Sequence, residues 1–146
     1  MELIRVDIAE DDPLLRTEVS TLMQELRPDL TAEGFLGFAR QAMREGLRFT
    51  AACTADGQCL GVAGYRLLTT SRGRILFIDD LVTRRRDRSA GVGRYLFDEL
   101  AAEARRAGCV RIELDSGVAN QGAHRFYHAR RMRISAFHFA VETATP

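Results

Sequence analysis

The chain contains no lysine and no tryptophan, and all 21 of its basic residues are arginine. Without lysine there can be no Walker phosphate loop, which needs one directly after its second glycine. Charge of one sign is also missing. The 21 arginines meet 20 acidic residues, leaving a formal net charge of +1. That balance gives no broad field for nucleic acid or a membrane surface. No apolar run approaches the length of a membrane span. The first residues, Met1 to Val6, lack the charged-then-apolar layout of a signal peptide, so the expected location is the cytoplasm. The three cysteines, Cys53, Cys59 and Cys109, form no metal-ligand pattern, and an odd number leaves one unpaired. All three fall in or beside expected strands and read as buried structural thiols.

Repeats, linkers and low-complexity stretches are absent too. The 146 residues, 46% of them hydrophobic, fit one domain, 1–146, with enough apolar content for a core. Residues 3–8 alternate as a first strand. Asp11, Asp12 and Pro13 start a helix with an acidic cap and a proline in its first turn. Its apolar residues recur at helical spacing until Arg27 and Pro28 end it. Thr31, Glu33 and Gly34 start a second helix, closed by Gly46. Residues 49–53 and 59–68 form a hairpin about Asp56 and Gly57. A polar turn over 69–74 leads to a strand over 75–83. A helix spans 91–107 and Gly108 closes it. A strand follows at 110–114, then a short helix from Asn120 to Ala129. Residues 133–142 alternate as a last strand or pair. The order is β-α-α-β-β-β-α-β-α-β(β), a mixed sheet with helices packed on it.

The richest stretch runs from Arg88 through Ser89, Ala90, Gly91, Val92 and Gly93 to Arg94. It joins a strand to a helix through a glycine-bearing turn. Such a turn aims free backbone N–H groups at one point, with the positive end of a helix dipole behind them. Phosphate binds at such points. With only Gly91 and Gly93, placed past mid-chain, it is not the three-glycine dinucleotide fingerprint. A second block lies downstream, beyond the 110–114 strand: Asn120, Ala123, Phe126 and Tyr127 at fixed spacing.

Taken in order, Asp80-Leu81-Val82-Thr83, then Arg88-x-x-Gly91-x-Gly93, then Asn120-x-x-Ala123-x-x-Phe126-Tyr127 resembles the GNAT superfamily of N-acetyltransferases. The resemblance is strong over residues 75–140 and in outline before that. It implies an α/β (α+β) fold, a mixed and mostly antiparallel central sheet flanked by about four helices. It implies an enzyme that moves an acetyl group from acetyl-CoA to a primary amine of a small molecule or protein. By the same resemblance the backbone of Ser89, Ala90, Gly91, Val92, Gly93 and Arg94 cradles the coenzyme A pyrophosphate, with charge from Arg88 and Arg94. The backbone of Leu81, Val82 and Thr83 receives the pantetheine arm, and Asn120 and Ala123 line the cofactor. Asn120 reads equally as a helix cap.

Tyr127 occupies the family's general-acid position. A phenol stays protonated at neutral pH yet can give its proton to a departing thiolate. Asp79 and Asp80 are the candidate bases. Strict alternation along a strand lets only one of them face the acceptor directly, and some family members favour the position of Asp79. Glu25 and Glu33 are further acids able to attract a cationic acceptor. His124 and His128 stand one helical turn apart, but no third ligand accompanies them and no metal is expected. Two departures from the family pattern stand out: serine at 89, where glycine is frequent, and Arg131-Met132 in place of Gly-Phe. A homodimer is compatible with the resemblance. A non-catalytic acyl-CoA-binding module of the same fold remains the alternative to an enzyme.

Overall fold

A computed structural model describes residues 2–144. Its elements are β1 (Ile4–Ile8), α1 (Ser20–Leu26), α2 (Ala32–Arg44), β2 (Arg48–Cys53), β3 (Cys59–Thr70), β4 (Gly73–Thr83), α3 (Val92–Arg106), β5 (Arg111–Leu114) and α4 (Gln121–Ala129). Through α4 this is the expected order. The chain packs as two compact units, one ending at Glu113 and the other beginning at Leu114.

In the first unit the strands lie side by side in chain order, β1-β2-β3-β4-β5. The first three pairings are antiparallel. The β2–β3 hairpin turns where expected, with Gly57 at φ +89° and its N–H donating to the Thr54 carbonyl at 3.0 Å. That hairpin sets Cys53 opposite Cys59 in register. Their Cα atoms are 4.1 Å apart and the sulfurs form a disulfide. The reading of these two as thiols is thereby corrected, because hairpin register brings them within bonding reach. Cys109 is free. The polar turn expected over 69–74 is narrower. Thr69 pairs with Arg74 and Thr70 with Gly73, since an exposed hairpin end needs no apolar side chains to pair its backbone.

The helices start as their caps dictate. The Asp12 carboxylate accepts from the Leu14 N–H at 2.9 Å, and a π-helical turn over Leu15–Val19 leads into α1. Thr31 accepts from the Gly34 N–H at 3.0 Å and caps α2. Leu22 and Met23 of α1 and Phe35, Leu36 and Ala39 of α2 bury against Phe49, Ala51 and Val62 of the sheet. On the opposite face Val92 and Leu96 of α3 pack on Ala52 and Leu60. α3 approaches β3 closely because position 61 is glycine. A Cβ there would sit 2.7 Å from Val92 Cγ1 and 3.1 Å from Leu96 Cδ1.

In the second unit Asn120 caps α4, its Oδ1 accepting from the Ala123 N–H at 3.3 Å. The helix ends in a Schellman turn. The Met132 N–H donates to the Tyr127 carbonyl at 3.1 Å and the Arg131 N–H to the His128 carbonyl at 2.9 Å. Arg131 takes φ +66°, the left-handed conformation for which glycine is the usual choice. The expected last strand over 133–142 does not form. Its alternation is genuine, but a strand exists only against a neighbour that pairs its backbone.

Candidate functional site

The loop between β4 and α3 is tied down by its own amides and delivers the chain to the unbonded first turn of α3. After β4 the Arg84 N–H donates to the Leu60 carbonyl at 2.8 Å. A short 3-10 turn covers Arg85–Asp87, and the Ala90 N–H closes onto the Asp87 carbonyl at 3.1 Å. Gly91 then caps α3 at φ +87°. A Cβ at Gly91 would meet nothing within 4 Å, so the backbone angle, not crowding within the chain, calls for glycine. Ser89 also has positive φ, +69°. The serine therefore keeps the backbone shape that glycine would supply. Arg88, Ser89, Ala90 and Gly91 are all exposed. Behind them, the first-turn amides of Val92, Gly93 and Arg94 have no carbonyl one turn back within the helix. The 15-residue helix puts its positive dipole end at the same point. The Glu25 carboxylate accepts from the Arg85 N–H at 2.9 Å, tying this loop to the end of α1. Arg84 pairs with Asp87, and Arg94 lies 3.9 Å from Asp98 on the exposed side of α3.

Upstream on β4 a bulge changes the expected arrangement of the two aspartates. Asp80 pairs with Gly64 while Ile78 pairs with Tyr65, so Asp79 is the extra residue. Gly64 faces Phe49 and Leu47 on the helical α1–α2 side. Asp80, its cross-strand partner, shares that side. Asp79 bonds to Arg66, two residues beyond Gly64 and hence on the same face. Both acids thus face one way, where strict alternation allowed only one. The bulge supplies the missing half-turn of the strand.

Each acid has its own arginine. Arg66 Nε donates to Asp79 Oδ2 at 3.0 Å, while Asp79 Oδ1 is buried with no partner among the described residues. Arg27, just past the end of α1, donates to Asp80 Oδ1 at 3.2 Å. The Asp80 side chain is only 10% exposed against 61% for Arg27. Burial pushes the Asp80 carboxyl above its ordinary value, and the Asp79 charge adds to this, with Arg27 pulling the other way. Next along β4, Leu81, Val82 and Thr83 pair through their backbone with Ala63, Val62 and Gly61. Val82 is buried in the core beneath α1 and α2, and Leu81 packs toward α3.

In the second unit, Asn120 sits at the cap of α4, and Ala123 and Tyr127 lie one turn apart on one helix face. Tyr127 is half-buried, and burial raises its phenol above the usual value. Its ring meets Phe126 edge-on at 5.6 Å. The Schellman turn accepts on its carbonyl, so the departure at Arg131-Met132 leaves the end of this helix intact.

The two histidines are engaged locally: His124 Nε2 lies 2.8 Å from the Gly117 carbonyl and His128 Nδ1 3.3 Å from that of Met132. Among the described residues no group of His, Cys, Asp or Glu is arranged to hold a metal ion. No helix among them is long and apolar enough to cross a membrane. Glu33 pairs with Arg16 at 2.9 Å. A separate cavity of about 360 Å³, bordered by Asp7, Arg48, Tyr65 and Glu103 among others, contains none of the expected site residues. Sequence reasoning missed Arg27 and Arg66. Arg27 stood out only as the end of a helix, and no spacing rule connects either arginine to the acid it meets.

A family model described as the acetyltransferase (GNAT) family matches residues 15–131. That span holds the loop, the acid pair and the Asn120 to Tyr127 block. The chain belongs to the GNAT family. It is 34% identical over 124 residues to a Bacillus subtilis (strain 168) protein named uncharacterized N-acetyltransferase YhdJ, a match covering 82% of this chain and 79% of that one. Among solved structures, a Trypanosoma brucei acetyltransferase superposes with a TM-score of 0.75 at 22% identity, over 97% of this chain and 99% of that one. The aminoglycoside N-acetyltransferase AAC(6')-Iy, solved in complex with CoA, gives 0.82 at 15% identity, over 98% and 96%. At these identities the likeness to the solved structures is one of fold. The mixed sheet and its four helices are the GNAT architecture.

Proposed function

We propose that this GNAT protein transfers an acetyl group from acetyl-CoA to a primary amine of a small molecule or protein, by direct attack in a ternary complex. The observation that carries the reading is the exposed, glycine-capped start of α3, placed directly after a strand that presents two carboxylates on one face. The CoA complex of the similar AAC(6')-Iy structure supports acyl-CoA as the donor.

The residues divide the work by chemistry. The amides of Ser89 and of Gly91 to Arg94 hold the pyrophosphate, the Ala90 N–H being engaged by the Asp87 carbonyl, with Arg88 and Arg94 adding charge. The backbone of Leu81, Val82 and Thr83 aligns the pantetheine arm, aided by Asn120 and Ala123. Asp80 takes a proton from the acceptor ammonium, directly or through a water. Burial makes it a stronger base than an ordinary aspartate. Asp79, held by Arg66, attracts the cationic acceptor. The neutral amine attacks the thioester carbonyl, the C–N bond forms, and the C–S bond breaks. Tyr127 gives its proton to the departing thiolate.

The deciding experiment measures free thiol released from acetyl-CoA against amines, amino acids and peptides, with donor binding followed by calorimetry. Turnover with at least one amine is expected, reduced in Tyr127→Phe while donor affinity is kept. Donor binding without turnover on any amine would favour the non-catalytic module, and absence of donor binding would refute both.

A further inference from the structure

We propose that Arg66 reads a carboxylate on the acceptor, so that the amine acetylated is the α-amino group of a free amino acid. The proposal rests on the acetyl-transfer reading and names the substrate class of that same site. Three observations lead there. First, Arg66 and Asp79 do not lock fork to fork, as an arginine and a carboxylate frequently do. Arg66 Nε donates to Asp79 Oδ2 at 3.0 Å, and among the described residues its Nη1 and Nη2 have no acceptor. Asp79 Oδ1 is buried without a partner among them. A pair that served stability alone would engage both oxygens, since an orphaned buried oxygen destabilises the fold. This contact instead fixes the guanidinium by its edge and leaves the end of the fork open, the part that fits a carboxylate bidentately. The Arg66 side chain is 26% exposed, shielded enough to strengthen a charged contact and open enough to be reached.

Second, Arg66 stands where a group next to the reacting amine would lie. It is two residues along β3 from Gly64, the cross-strand partner of Asp80. At about 3.3 Å per residue, its backbone is about 7 Å along the sheet from the level of Asp80, on the same face and away from Thr83. Its guanidinium is tied to Asp79, the neighbour of Asp80 in sequence. An amine at Asp80 therefore has the proposed thioester strand, Leu81 to Thr83, on one side and Arg66 on the other. An α-amino acid carries its carboxylate on the carbon that bears the amine.

Third, the charges on this face balance. Asp79 and Asp80 are matched by Arg66 and Arg27, and the Glu25 carboxylate accepts from the Arg85 N–H. An acceptor with ammonium groups alone meets a guanidinium beside each aspartate. A zwitterion matches both signs.

The test is steady-state turnover of amino acids with acetyl-CoA, each compared with its α-amide. The amide keeps the ammonium and the side chain and removes the charge that Arg66 reads. It is also the weaker base, with more neutral amine at neutral pH, so recognition alone favours the acid. Wild type is expected to prefer at least one acid over its amide by roughly tenfold or more in kcat/KM. Arg66→Gln, which keeps a donor for Asp79, should raise the KM for that acid about tenfold. Its KM for the amide and for acetyl-CoA should hardly change. The acid-to-amide ratio is read within each variant, so a change in the base cancels. Wild type that uses amides or polyamines as well as acids overturns the proposal and leaves acetyl transfer standing. So does a preference that survives Arg66→Gln. Should that variant misfold, Arg66→Lys decides; its point charge is expected to reduce the preference, and an unchanged ratio overturns the proposal. If no amine is turned over, calorimetry of acids and amides with CoA present decides. Acids bound over amides by wild type and not by Arg66→Gln uphold Arg66 as the reader while transfer fails. No such difference overturns both.

Discussion

Replacing Gly61 by alanine tests how closely the phosphate loop depends on the packing beneath it. The new Cβ would lie 2.7 Å from Val92 Cγ1, 3.1 Å from Leu96 Cδ1 and 3.1 Å from the Val82 carbonyl oxygen. Comfortable carbon contacts are about 3.5–4.0 Å, so the first turn of α3 must retreat by about 1 Å. Val92 and Leu96 are both 1% exposed and have little room to turn aside. Overpacking of this kind costs about 1–3 kcal/mol, and for a chain of this length about 2 kcal/mol lowers Tm by roughly 4–8 °C. The same retreat moves the amides that would hold the pyrophosphate. A displacement near 1 Å can cost up to about a hundredfold in catalytic efficiency. The assays are thermal unfolding by circular dichroism and the KM for acetyl-CoA. The double variant Gly61→Ala, Val92→Ala removes the closest contact and should be more stable than the two single losses predict, by at least about 1 kcal/mol. Strict additivity, or a Gly61→Ala protein with unchanged Tm and KM, would refute the coupling.

Other expectations follow from the same geometry. Asp80→Asn should lower turnover about 10²–10⁴-fold, the usual contribution of a general base, yet raise Tm at neutral pH. The raised carboxyl binds its proton more tightly in the folded chain than in the unfolded one. Its favourable contribution is full below the ordinary aspartate value and is lost as pH rises through the folded one, so the ionised group burdens the fold. The acidic limb of kcat/KM should accordingly lie above the ordinary aspartate range. Arg27→Ala should move it further up, because Arg27 lowers that carboxyl; a pH-rate profile checks both. Arg131→Gly should stabilise the chain by about 1 kcal/mol by relieving a left-handed arginine, read as a higher Tm against Arg131→Ala, which keeps the strain.

Local chemistry made much of the fold legible. Asp12, Thr31 and Asn120 cap the helices they were expected to start because each needs only neighbours a few residues away. The Asp56-Gly57 turn and the apolar stripe of α3 follow from equally short-range rules. Features that depend on two distant segments were hidden. The bulge at Asp79 arises from the pairing of β3 with β4, and neither strand announces it alone. The pairing of Cys53 with Cys59 needed the hairpin register, and the contacts of Arg27 and Arg66 needed the folded sheet. Residues 133–142 misled for the converse reason, since alternation records what a segment can pair with and not whether a partner is present.

The bulge also links the two halves of the candidate chemistry within the first unit. In plain alternation Asp79 and Asp80 would point to opposite faces of the sheet, and one carboxylate would turn away from the side that holds Arg27 and Arg66. With the bulge, both carboxylates reach arginines on the α1–α2 side. The strand resumes its register at Asp80, so that Val82 still enters the core. Its last residue, Thr83, then leads into the loop that ends at the glycine-capped start of α3. One irregularity in one strand thus turns both carboxylates toward their arginines. Deleting Asp79 should return the strand to plain alternation. Ile78 would keep Tyr65 and Asp80 would keep Gly64 as cross-strand partners, so the chain should stay folded, and the loss should register as a change of activity because Arg66 is left without its carboxylate.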